Sequence, residues 1–194
     1  MAAIPRLAHI VLVTGQLPAM RDWYARVLGA RVVYENPALC FMTFDDEHHR
    51  IALVSPPDAP LVPRTPVTVG MHHSAYTFDS LAALLEHYQA LKAGGIEPLT
   101  PIQHGVTTSL YYRDPDGNLV ELQIDNFAHP DLATAYMHGA EFAGDPIGPA
   151  FDPGLMADAL AQGTPVSVLT TRAWALAGPA LPDPMSRLMS PPQP

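Results

Sequence analysis

Three side chains in this sequence have the types and settings that suit a divalent cation: His9, His73 and Glu121. His9 alternates with Val11 and Val13 in a β-rich run, so the three share a face. His73 shares a face with Ala75 and Thr77, while His72 points to the other side. Glu121 shares a face with Leu119 and Gln123, with Val120, Leu122 and Ile124 opposite. A carboxylate in so apolar a strand is costly to bury unless it is paired or bound to a cation. Two neutral imidazoles and one carboxylate, with other positions open, suit a non-haem Fe(II) centre. They suit Mn(II) or Zn(II) as well, and ligand types do not choose between them. Ordinary hydrogen-bonded strand residues are the competing reading, and the three residues leave both open.

The elements that must position them come as one pattern used twice. A strand at Leu7–Val13 leads to a helix at Leu17–Leu28, where Met20, Trp23, Tyr24, Val27 and Leu28 form one apolar stripe ended by Gly29. Strands follow at Ala30–Tyr34, Leu39–Phe44 and His49–Val54. Five prolines between Ser55 and Thr68, at positions 56, 57, 60, 63 and 66, make that stretch a stiff connection. The pattern then restarts with a strand at Met71–Phe78. Ser80 caps a helix striped by Leu81, Leu84, Leu85, Tyr88 and Leu91, and Gly94-Gly95 ends it. Strands at Glu97–Ile102, Thr107–Tyr112 and Leu119–Ile124 complete the copy, the last two joined by the hairpin signal Asp114-Pro115-Asp116-Gly117-Asn118. Asp114, Asp116 and Gly117 are turn-formers. β-α-β-β-β thus occurs at residues 6–55 and 70–127, and neither copy buries enough surface alone. Residues 1–128 are expected to form one paired domain. His9 and His73 fall at equivalent places, in AHIVLV and HHSAYTF.

Residues 129–194 form a C-terminal extension with short helices expected at Leu132–His138 and Leu155–Gln162. Its Pro-rich end, Ser190 to Pro194, is expected to be flexible. A wrap over the core or a dimer contact is expected of the extension rather than a lid, so Tyr136, Phe142 and His138 receive no role.

Composition excludes several functions. With 10 Lys and Arg against 19 Asp and Glu, the formal charge is −9, so nucleic acid and anionic membrane are poor partners. Cys40 is the single cysteine and reads as a buried core thiol. No apolar run approaches the ~20 residues that span a bilayer. Met1 to Leu7 lack a signal core, and a cytoplasmic protein is expected.

The segment YYRDPDGNLVELQ, Tyr111 to Gln123, resembles the last hairpin of the vicinal oxygen chelate superfamily (glyoxalase, bleomycin-resistance and dioxygenase proteins). The resemblance runs over residues 6–127. It implies an α+β fold in which two βαβββ repeats form a cupped mixed sheet around a metal site, followed by an irregular and helical tail. By that resemblance His9, His73 and Glu121 are the metal ligands. Aligning HHRIALV with GNLVELQ sets Ala52 against Glu121, so the fourth protein ligand usual in glyoxalase-type sites is absent.

Within that superfamily the chain resembles type I extradiol dioxygenases of the compact, one-pair kind. Their additional signatures are matched by His49 in His48-His49-Arg50-Ile51-Ala52, by His104-Gly105, and by Tyr111 three residues before Asp114-Pro115. The resemblance implies an Fe(II) enzyme, with Mn(II) as the alternative ion, that cleaves a catechol-type aromatic diol with O2. His49 would stabilise the oxygen species and shuttle protons, His104 would hydrogen-bond a substrate hydroxyl, and Tyr111 would assist its deprotonation. It also implies a homo-oligomer, in the first instance a dimer. The alternatives are a fosfomycin-type thiol transferase, a glyoxalase-like lyase or isomerase, and a small-molecule binding protein. The first lacks its phosphonate pocket here, since only Arg50 and Arg113 lie near the candidate residues in sequence; the last need not keep all three ligands.

Overall fold

The computed structural model describes residues 4–191. The first three residues of the segment read as lacking a signal core, and the last three of the Pro-rich end, lie outside the described residues. The chain divides into two compact units, residues 1–64 with 114–117, and residues 65–113 with 118–194.

The first unit is one β-α-β-β-β repeat: β1 (Ile10–Val13), α1 (Leu17–Val27), β2 (Arg31–Asn36), β3 (Leu39–Thr43) and β4 (Ile51–Val54). Its sheet order is β1-β4-β3-β2, with β1 parallel to β4 and the other pairs antiparallel. α1 buries Leu17, Met20, Trp23, Tyr24 and Val27, the stripe read from the sequence, and Gly29 turns the chain at φ +62°. Cys40 is fully buried. The hairpin tip Asp114–Gly117 belongs to this unit. There the Tyr24 hydroxyl donates to Asp114 Oδ2 at 3.1 Å, and Gln16 Nε2 donates to the Pro115 carbonyl at 2.9 Å. Asp114 Oδ1 accepts from the Asp116 amide and Gly117 takes φ +87°, so these residues shape the turn.

β1 starts three residues later than the alternating pattern suggests. Arg50 Nη1 donates to the carbonyls of Leu7 (2.7 Å) and Ala8 (3.0 Å), and only from Ile10 does the backbone join β4. His9, Val11 and Val13 are exposed and Leu12 is buried, the alternation of a two-faced strand.

The second unit repeats the pattern: β5 (His73–Thr77), α2 (Leu81–Ala93), β6 (Thr100–Gln103), β7 (Thr107–Arg113) and β8 (Leu119–Asp125), in sheet order β5-β8-β7-β6. The Ser80 hydroxyl accepts from the Ala83 amide, and α2 buries Leu81, Leu84, Leu85, Tyr88 and Leu91. Each such leucine contributes about 1.5–3 kcal/mol by leaving water. β6 is an edge strand, which is why Pro101 is tolerated within it.

The C-terminal extension packs on this second unit. It comprises α3 (Pro130–Met137), α4 (Ala140–Gly144), α5 (Pro153–Ala161), α6 (Val166–Leu169), α7 (Arg172–Ala177) and α8 (Pro184–Leu188). α5 lies against α2 and α8 against β6, where Leu188 joins Ile102, Tyr111 and Leu119 in a buried cluster. Both expected helices are present but begin two residues earlier, because proline is accepted in the first turn and His129 and Asp152 cap it. α4, α6, α7 and α8 span six residues or fewer, too short to display a helical period in sequence.

No helix among the described residues is long and apolar enough to cross a membrane.

Candidate metal and catalytic centre

Within the first unit the loop before β4 is folded back on itself. Arg50 Nε pairs with Asp45 Oδ2 at 2.9 Å, Thr43 Oγ1 donates to the Glu47 carbonyl at 2.8 Å, and Asp45 Oδ1 accepts from the Glu47 amide. This places the His49 ring 4.3 Å from the His9 ring, between centroids, and stacks it on Phe41 at 4.7 Å. His48 Nδ1 lies 2.6 Å from His49 Nδ1. Burial, then the neighbouring His9 and His48, push the His49 imidazole below its ordinary pKa. His49 precedes β4 in the turn, not in the strand as the sequence suggests, because Asp45 and Arg50 hold that turn.

The second unit gathers the other four. In the parallel β5–β8 pair Ala75 stands opposite Glu121, and in the antiparallel β7–β8 pair Tyr111 does. Glu121 is buried, with Oε2 at 3.0 Å from His73 Nε2 and Oε1 at 3.9 Å from His104 Nε2. The Tyr111 hydroxyl is 3.0 Å from His104 Nε2, and the Tyr111 ring meets His73 edge-on at 5.4 Å. Burial alone would raise the pKa of Glu121. Hydrogen bonds from His73 and Ser109, with the nearby His104, outweigh it and hold the carboxyl below its usual range. Burial, then the Glu121 charge, push the Tyr111 phenol well above its usual range. Burial lowers the pKa of His104 against the opposing pull of Glu121.

The donor set fits a metal. Neighbouring ligand atoms on an ion with bonds of about 2.1 Å lie about 3 Å apart, the spacing of His73 Nε2 and Glu121 Oε2. A carboxylate this buried is also the group that a cation relieves of its desolvation cost. His9 stands in the first unit beside His49, and among the described residues no three His, Cys, Asp or Glu side chains form one cluster.

The register also settles what stands at the Glu121 position of the first repeat. β1 and β4 pair Val11 with Ala52, as β5 and β8 pair Ala75 with Glu121. Val11 and Ala75 each lie two residues beyond the candidate histidine, so Ala52 is the counterpart of Glu121 and offers no ligand atom.

Two further groups touch this cluster without any sequence signal. His104 Nδ1 lies 2.6 Å from the Ile147 carbonyl, a backbone atom supplied by the extension. Arg172 is buried and donates to the carbonyl of His104. Arg113, near the candidate residues in sequence, instead donates to the Ser190 carbonyl at 2.8 Å and so anchors α8.

Residues 6–122 match the Glyoxalase/Bleomycin resistance protein/Dioxygenase superfamily. The chain is 62% identical over 98% of its length to the whole of biphenyl-2,3-diol 1,2-dioxygenase 2 of Rhodococcus globerulus. It is 59% identical, with the same coverage, to biphenyl-2,3-diol 1,2-dioxygenase 3 of that organism. Among solved structures, a glyoxylase/bleomycin resistance protein/dioxygenase domain from Frankia sp. EAN1pec superposes on 66% of the chain and 96% of its own, with a TM-score of 0.54 at 18% identity. That likeness concerns the fold. The chain belongs to the glyoxalase/bleomycin resistance protein/dioxygenase superfamily.

Proposed function

We propose that this protein is an extradiol dioxygenase that opens the ring of biphenyl-2,3-diol or a closely similar aromatic diol with O2. The observation that carries the reading is the end-to-end similarity to two biphenyl-2,3-diol 1,2-dioxygenases. The enzyme is a ring-cleaving dioxygenase with a catalytic metal; Fe(II) as that metal, His9, His73 and Glu121 as its ligands, and a cytoplasmic homodimer are parts of the proposal. Residues 1–128 are read as the paired metal-binding domain, with residues 129–194 as its extension.

Bound Fe(II) would supply Lewis acidity and a common anchor for the diol and O2, making their reaction effectively intramolecular. The protein's own groups do the rest. Glu121 is held ionised and would bring negative charge to the ion. His104 presents Nε2 within hydrogen-bonding reach of Tyr111, and this pair accepts the proton of a substrate hydroxyl. Tyr111 stays protonated, because its phenol is raised well above neutral pH; its O–H would turn from His104 Nε2 to the substrate oxygen as Nε2 takes the substrate proton, and so orient that hydroxyl. His49 is held largely neutral at the same pH and can take up and return a proton. Both atoms of O2 enter the product, so no external reductant is required.

The test is anaerobic purification, loading with Fe(II), and addition of O2 with biphenyl-2,3-diol beside simple and 3-substituted catechols. A coloured ring-fission product that needs Fe(II) and is lost in Glu121→Ala supports the reading. No product from any diol at stoichiometric iron would refute it.

A further inference from the structure

The segment around His104 is bonded to the C-terminal extension at several points. The Gln103 amide donates to the Pro149 carbonyl at 2.9 Å, and Ile102 bridges Ala150. Gly105, at φ +89°, lies against the Tyr136 ring so closely that a Cβ would overlap it. Asn126 Nδ2 donates to the carbonyls of Gly105 (2.9 Å) and Thr170 (3.3 Å), joining the loop to α6. Arg172 donates to the carbonyls of His104 and Glu141, and its guanidinium lies over the Tyr136 and Phe142 rings at 5.8 and 5.7 Å. Arg172 is buried, and these carbonyls and ring faces are the partners that a guanidinium taken out of water requires.

One contact of this clamp reaches the imidazole itself. A carbonyl oxygen only accepts, so at 2.6 Å from Ile147 the Nδ1 of His104 must carry a proton. That carbonyl is fixed by a turn in which Asp145 Oδ1 accepts from the amides of Ile147 (3.1 Å) and Gly148 (2.9 Å). Gly148 takes φ +93°, and its Cα packs so closely on the Gln103 carbonyl that no side chain fits. With Nδ1 committed, neutral His104 has its lone pair on Nε2, which faces Tyr111.

We infer that the C-terminal extension is a positioning device for His104: the Ile147 carbonyl, held by Asp145, selects the Nδ1–H tautomer, and Arg172 fixes the backbone that aims Nε2. The inference rests on the catalytic reading of His104. It gives residues 129–194 a part in the reaction, since His104 accepts a substrate proton only when its Nε2 is bare. Asp145 and Arg172 are bonded to backbone groups of the loop and the extension and act through His104.

The first measurement is the side-chain nitrogen spectrum of the metal-free, full-length protein labelled at histidine, at mildly alkaline pH, with His104→Gln to assign the signal. A proton on Nδ1 and none on Nε2 is expected; a proton on Nε2, alone or with one on Nδ1, would overturn the inference. The second is Asp145→Ala, a substitution at an exposed side chain. It is expected to mix the two tautomers and to lower kcat about tenfold with metal content unchanged, the scale of lost outer-shell support. Asp145→Asn keeps the acceptor oxygen and is expected to restore both. Arg172→Ala is expected to lose about ten- to a hundredfold in kcat and to recover part of it with added guanidinium. Asp145→Ala with tautomer and kcat both unchanged would overturn the inference. Absence of any ring-fission product from the unaltered enzyme refutes the dioxygenase reading instead, and the metal-free spectrum still decides the tautomer.

Discussion

Tyr111→Phe removes one oxygen atom from the candidate centre and leaves the packing of β7 in place. In the native protein that oxygen is 3.0 Å from His104 Nε2, in a side chain that is 4% exposed. Two effects oppose each other in the variant. The buried hydroxyl no longer has to be desolvated, while His104 Nε2 is left as a half-buried acceptor without its donor. Leaving such a group unmatched costs about 1–3 kcal/mol, so the net loss of stability is about 1 kcal/mol. In a chain of 194 residues this lowers Tm by about 2–4 °C. The rate suffers more, because a hydrogen bond that orients the substrate hydroxyl is worth most when the proton moves. At 1.36 kcal/mol per factor of ten, the same 1–3 kcal/mol corresponds to a fall in kcat of about 5- to 160-fold. Tyr111 is not among the proposed ligands, so the metal content should stay at the native value. The assay combines thermal unfolding by circular dichroism, iron determination, and initial rates of product absorbance with biphenyl-2,3-diol. A Phe variant with native Tm and native kcat would refute the hydrogen-bond assignment. A variant whose rate falls only in proportion to lost iron would refute its separation from metal binding.

Further outcomes are expected at Gly105, Cys40 and Tyr24. Gly105→Ala places a methyl group against Tyr136 at a backbone conformation of φ +89°, and should cost about 1–3 kcal/mol, read as a lowered Tm and a shift of the Tyr136 environment. Cys40 is held neutral by burial, with its pKa pushed up to about 11, so thiol reagents should leave the native protein untouched at pH 8 and react on unfolding. Since the folded thiol ionises above the unfolded one, its contribution to stability is intact below the unfolded pKa of 9.0 and is lost as pH rises towards about 11, a decline that Cys40→Ala should flatten in a pH series of denaturation midpoints. Tyr24→Phe removes the donor to the buried Asp114 at the hairpin tip and should lower Tm by about 2–4 °C without changing the iron content.

The repeated strand–helix–strand order was legible because each element advertises itself locally. The stripe from Leu17 to Val27 and the Ser80 cap with its leucine stripe need no distant partner to be recognised. Boundaries were less legible wherever a side chain competes with the ladder: Arg50 takes the carbonyls of Leu7 and Ala8 and delays β1 until Ile10. The four short helices of the extension carry too few turns for a period to show. Within the candidate centre, Glu121 drew notice as a carboxylate among apolar neighbours, and His104 and Tyr111 through their resemblance to extradiol dioxygenases. Arg172 and Ile147 drew none, because a buried arginine is indistinguishable in sequence from a solvated one and a carbonyl has no letter.

By itself, the sequence determined the residue types available for chemistry, their equivalence across two repeats, and the absence of a ligand at Ala52. Those properties follow from local spacing and side-chain identity, which are written along the chain. Tertiary structure alone decided that Tyr111 and Glu121 face each other across a strand pair, that Glu121 is buried beside His73, and that the extension reaches back to hold His104. These depend on strand register and on contacts between residues more than 40 positions apart, such as His104 and Ile147. Such contacts are selected by the packing of whole elements, which no local pattern encodes.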